Sequence, residues 1–90
     1  MDTEQKQDAA DIDFSGLILG FGSAALSYLG YQPDGSEDQK LRNLTLAKQN
    51  INIIDLLKEK TRGNLSDDEK NLIEQVLADL KMKYISVAKQ

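Results

Sequence analysis

The side chains that usually carry chemistry are scarce in this chain. It contains no cysteine and no histidine. It therefore has no thiol nucleophile and no thiolate metal site, and it lacks the commonest general base and the commonest zinc ligand. Three local patterns remain. Gly20-Phe21-Gly22-Ser23-Ala24-Ala25 fits the G-x-G-x-x-A form of a dinucleotide fingerprint, whose glycines let backbone amides approach a pyrophosphate at a helix N-terminus. That motif needs a second apolar strand downstream, and only a polar stretch follows Gly30. Asp67, Asp68 and Glu69 cluster three carboxylates, without the alternating spacing and trailing Glu of a calcium loop. Lys58, Lys60 and Arg62 gather positive charge at the C-terminal end of a helical stretch, the wrong pole for holding an anion. No catalytic residue, metal site or cofactor is expected, and the chain reads as a non-enzyme.

Charge placement narrows the partners. The net charge of −4 lies wholly within residues 1–13, where Asp2, Glu4, Asp8, Asp11 and Asp13 are set against Lys6 alone. From Phe14 onward acids and bases balance. Such a chain offers no electrostatic footprint for nucleic acid. Its acidic start is also unlike the positive n-region of a secretory signal, so the cytoplasm is the expected compartment. Residues 1–12 are polar with little to bury, and are expected to form a disordered acidic leader. Residues 13–90 are expected to form a single helical domain.

Residues 14–29 are the stretch that must organise that domain, since they carry no charge in a protein that is 29% charged overall. On a helix, Phe14, Leu17, Ile18, Phe21, Ala25, Tyr28 and Leu29 fall on one side as a buried stripe. Gly16, Gly20, Ser23 and Ser27 fall opposite, with Leu19, Ala24 and Leu26 at the flanks. A glycine inside a helix costs about 1 kcal/mol relative to alanine. Gly16, Gly20 and Gly22 therefore call for a compensating gain, most simply the close approach of another backbone. Gly16, Leu19, Gly20, Ser23, Ala24, Leu26 and Ser27 are the candidate interface, with this helix clasped on one side by its own chain and on the other by a partner. The alternative is a membrane-peripheral protein that inserts residues 14–29 into a bilayer. A span is disfavoured: the stretch rises only about 24 Å against a hydrocarbon core of about 30 Å, and it lacks anchoring Lys, Arg and Trp flanks.

The remainder reads as a linker followed by a helical hairpin. Gly30 suits a helix C-cap and Pro33-Asp34-Gly35 suits a turn, so residues 30–43 are a linker, long enough for the second half to pack on its own first helix or on a partner's. A helix is expected over 45–61, with Leu46, Ala47, Ile51, Ile53, Ile54 and Leu57 on a broad apolar arc. Another is expected over 67–84, with Leu72, Ile73, Val76, Leu77, Leu80, Tyr84 and Val87 falling within one arc and Lys81 facing away. Met82 and Ile85 lie off that face and mark either a second contact surface or the end of the helix. Gly63 and Asn64 end the middle helix, and Ser66 with Glu69 forms a capping box for the last, so the two make an antiparallel hairpin.

Several of these residues carry a resemblance. The run Ala47-Lys48-Gln49-Asn50-Ile51, the run Asp55-Leu56-Leu57-Lys58-Glu59-Lys60-Thr61-Arg62-Gly63-Asn64-Leu65-Ser66 and the following Glu69 are similar to a bacterial family known as domain of unknown function 1844. The likeness extends upstream to Leu29-Gly30 and downstream through Leu77, Leu80, Lys81, Met82 and Tyr84. Asp is more usual in the family at the position of Asn52, and Arg at that of Lys81. The resemblance implies a small helical bacterial protein and brings no activity, cofactor or catalytic residue with it. The expected class is thus a short all-α, three-helix protein completed by oligomerisation. Its partners are itself, as a dimer or tetramer, or a larger protein assembly.

Overall fold

A computed structural model describes residues 13–90. The disordered leader expected over residues 1–12 lies outside them. The described chain forms helix α1 (Phe14–Tyr28), a short 3-10 turn (Gln39–Leu41), helix α2 (Leu44–Lys60) and helix α3 (Asp67–Ala88). Helices α2 and α3 form the hairpin, and α1 packs against both.

Each helix begins on a side chain that satisfies an amide otherwise left without a partner. Asp13 caps α1, its Oδ1 accepting from the Gly16 amide at 2.7 Å. Asn43 caps α2, accepting from the Leu46 amide at 3.0 Å. The capping box of α3 is complete: the Glu69 amide donates to Ser66 Oγ at 3.1 Å, and the Ser66 amide donates to Glu69 Oε1 at 2.9 Å. At its far end, α3 continues past the expected stop at Tyr84 to Ala88. Neither Gly nor Pro interrupts residues 84–88, and burial of Val87 rewards the extra turn.

The core lies where the three apolar arcs meet. Ile18 and Ala25 of α1, Ile51 and Ile54 of α2, and Ile73, Leu77 and Leu80 of α3 form the main cluster. Of the stripe expected on α1, Ile18, Ala25 and Leu29 are fully buried and Phe14, Leu17, Phe21 and Tyr28 half-buried. A second cluster gathers Leu29, Ala47 and Val87 at the end of the molecule where α1 stops. Lys81, expected to face away, reaches across the hairpin to Asp55 at 3.0 Å. Both side chains are about half exposed, so water screens the pair and it contributes little stability.

The linker is no free tether. Helix α1 ends in a Schellman motif, with the Gly30 amide donating to the Ser27 carbonyl at 2.9 Å and the Tyr31 amide to the Leu26 carbonyl at 3.0 Å. The chain then turns through Pro33 to Ser36, where Asp34 Oδ1 accepts from both the amide and the hydroxyl of Ser36. These two bonds hold the Asp34 carboxyl below the usual carboxylate range. An isolated bridge pairs Tyr31 with Glu37, the Asp38 amide returns to the Gly30 carbonyl at 2.7 Å, and the Asn43 amide reaches the Tyr28 carbonyl at 2.7 Å. The freedom expected of residues 30–43 is therefore absent, and the hairpin packs on its own α1.

Gly30 is the glycine this arrangement depends on. Its φ is +95°, and a Cβ there would meet the Asp38 carbonyl oxygen at 2.8 Å and Arg42 Cγ at 3.0 Å. Gly35 has a similar φ of +89° with open space around it. Gly30→Ala is expected to lower stability by about 2 kcal/mol or more and Gly35→Ala by about 1 kcal/mol. Urea midpoints would check this, and equal losses at the two positions would remove the steric part of the explanation. By the same measurement, Ser66→Ala is expected to cost about 1 kcal/mol.

Candidate functional site

Helix α1 is uncharged from end to end, which distinguishes it from α2 and α3. Its three interior glycines occupy different environments. Gly22 is buried, and a Cβ there would come within 3.3 Å of Val76 Cγ1, so this glycine lets α1 and α3 approach closely. A Cβ on Gly20 would meet nothing within 4 Å, and one on Gly16 would meet only its own capping residue, Asp13. The close approach that could justify a glycine is thus supplied within the chain at Gly22 and not at Gly20.

The candidate interface residues fall mainly on the uncovered side. Gly16, Leu19, Gly20, Ser23 and Ser27 are exposed, Leu19 by 52%, while Ala24 is half-buried. Leu26 is half-buried and packs on the main core, so it belongs more to the fold than to the outer side. Of the two clasped sides expected for α1, the single chain covers one. Gly16, Gly20 and Ala24, with Leu17 and Phe21, line an open apolar groove of about 380 Å³ bounded on the α2 side by Asn50. Asn50 lies in the Ala47–Ile51 run that resembles the family, and its residue type alone does not mark it as part of a groove. It is the half-buried polar residue next to the apolar arc of α2, and its amide Nδ2 donates to the Leu46 carbonyl at 2.9 Å.

The fingerprint-like run from Gly20 to Ala25 lies in the interior of α1, and Leu17-Ile18-Leu19 before it is helix and not strand. Its amides are held by intrahelical hydrogen bonds and cannot cradle a pyrophosphate, which requires the free amides of a helix N-terminus.

At the opposite end of the hairpin, the residues that resemble the family most strongly build a turn. Thr61 Oγ1 donates to the Leu57 carbonyl at 2.7 Å, Gly63 takes a φ of +85°, and the Asn64 amide donates to the Thr61 carbonyl at 2.9 Å. Arg62 pairs with Glu59 at 2.6 Å, and the hydrogen bond first, then the charge, of that carboxylate raises the Arg62 pKa above its usual value. A concavity of about 480 Å³ beside this turn sets Lys58, Arg62 and Lys70 against Glu59, Asp67 and Glu74. The signs balance, and the Glu69 carboxylate of the acidic trio is committed to the cap. Gly63, Asn64, Ser66 and Glu69 thus serve the fold as a turn and a cap.

These features define a small all-α protein in which an uncharged helix lies across a helical hairpin. The chain belongs to the family described as a domain of unknown function (DUF1844), whose profile matches residues 11–86. No curated protein and no solved structure matches the chain. Among the described residues, no helix is long and apolar enough to cross a membrane.

The environments of the glycines separate two substitutions. Gly20→Ala adds a methyl group in open space and is expected to stabilise the monomer by roughly 0.5–1 kcal/mol through helix propensity. Gly22→Ala forces Val76 to shift and is expected to gain less or to lose stability. Urea unfolding at dilution where the chain is monomeric would check this ordering, and the reverse order would contradict the packing of α1 on α3.

Proposed function

We propose that this protein is a non-catalytic helical subunit that assembles through the outer side of α1, with a second copy of itself or as an accessory subunit of a larger protein assembly. The observation that carries this reading is the mismatch between what α1 is made of and what its own chain covers. A surface helix normally turns a charged or strongly polar face to water, and here the side of α1 that faces solvent carries no charge and presents Leu19, Gly20 and the adjoining groove beside Ser23 and Ser27. An uncharged face also suits a two-fold axis, across which any charge would approach its own copy. Two-fold closure is the commonest symmetry of soluble assemblies, so a dimer is the first form to test and a tetramer the second. The cytoplasm is the compartment proposed, on the cysteine-free composition.

Light scattering at micromolar concentration tests self-association, with a species at least twice the 10.0 kDa chain mass expected. A stable 10.0 kDa species throughout that range would remove the self-association form of the proposal. Gly20→Leu is expected to weaken association while leaving the hairpin folded, because, beyond the adjoining backbone of α1 itself, nothing stands within 4 Å of the added Cβ. Equal loss of assembly and of helical signal would show that the outer side of α1 is not the contact. The rival reading, α1 lying on a bilayer, requires recovery with lipid vesicles in flotation. Full recovery away from vesicles and without detergent rules it out.

A further inference from the structure

Residues 30–43 form a strap, and the way it is held differs from the way the core is held. Pro33 to Glu37 and Gln39 to Leu41 are exposed, and the backbone hydrogen bonds of the strap connect it to itself, to the last turn of α1 and, through the Asn43 carbonyl and the Ala47 amide, to the first turn of α2. Beneath it lies the smaller apolar cluster of Leu29, Ala47 and Val87. Arg42 is the principal polar tie across this end. Its side chain is only 14% exposed. Nε donates to the Leu29 carbonyl at 3.1 Å, one terminal nitrogen donates to Gln90 Oε1 at 2.6 Å, and the other donates to Glu37 at 3.1 Å. One guanidinium therefore joins the end of α1, the strap, and Gln90, two residues beyond the end of α3. Lys83, paired with Asp79 at 2.8 Å, adds a weaker tie from α3, its ammonium lying 5.6 Å from the centre of the Tyr31 ring.

We infer that Arg42 is a latch, and that the strap opens as a unit ahead of the main core when its guanidinium lets go, uncovering Leu29, Ala47 and Val87. Segments with few buried apolar contacts and solvent-facing hydrogen bonds are those that open sub-globally. The strap meets both conditions, whereas Ile18, Ile54, Ile73 and Leu77 sit in the larger cluster away from it. The planar fork of arginine is suited to hold three acceptors at once, which an ammonium or an amide cannot do in the same geometry.

Amide hydrogen exchange of the full chain, read residue by residue by NMR at a dilution where it is monomeric, tests the latch. In Arg42→Gln, the amides of Tyr31, Asp38 and Asn43 are expected to exchange about tenfold faster, while those of Ile51, Ile54 and Leu77 keep their rates. Equal acceleration of strap and core would show a single cooperative unit and overturn the inference. So would unchanged rates in the strap. Should Arg42→Gln fail to fold, Glu37→Gln removes one of the three ties and is read by the same pattern, with a smaller acceleration of about two- to fivefold confined to the strap.

Discussion

The fold depends on the seating of α1 across the open side of the α2–α3 hairpin. Two helices alone would leave Ile51, Ile54, Ile73, Leu77 and Leu80 without cover, and α1 closes that side with Ile18 and Ala25, neither of which retains any exposed surface. A chain of this length has little core to spare. The contact must be close, and Gly22 makes it so by bringing the α1 backbone against Val76. The caps at Asp13, Asn43 and Ser66 and the Schellman turn at Gly30 fix where each helix starts and stops, so that the three arcs meet in register.

The same seating leaves α1 with an imbalance. Helices α2 and α3 turn Lys, Asp, Glu and Asn outward, as amphipathic helices do. Helix α1 turns out Gly16, Leu19, Gly20, Ser23 and Ser27 instead. Nothing in the packing of the single chain requires an uncharged outer side or a glycine at position 20. Met82, 65% exposed, and Ile85 form a second apolar spot on α3. It is flanked by Lys81 and Lys83, which are paired to Asp55 and Asp79.

Much of this was readable from residue order because the determinants are local. The Ser66–Glu69 box, the glycines at 30 and 63, and the buried stripe of α1 depend on spacings within a few residues, and the structure places each as its spacing implies. Asn43 has no Glu or Gln three residues on to mark it as a cap, since Leu46 stands there, and only the start of Leu44–Lys60 beside it shows its role. What local pattern could not show is what pairs at a distance. The strap looked like a tether because Arg42 finds Leu29 thirteen residues away and Gln90 forty-eight residues away. Lys81 looked unattached because its partner, Asp55, is on the other arm of the hairpin. Gly22 could not be told from Gly20 by residue type, since only the position of Val76 separates them. The candidate interface was readable as a set of residues on one side of a helix, whereas its groove with Asn50 needed the second helix in place.

Whether the uncovered side of α1 meets another molecule of the same chain can be read by NMR with a soluble paramagnetic agent, following the α-protons of Gly16, Gly20 and Ser23 across a dilution series. Assembly through that side predicts strong relaxation at low micromolar concentration and its loss at these three residues as concentration rises, while exposed residues of the α2–α3 turn such as Asn64 stay accessible. Undiminished relaxation at all three up to millimolar concentration would contradict it.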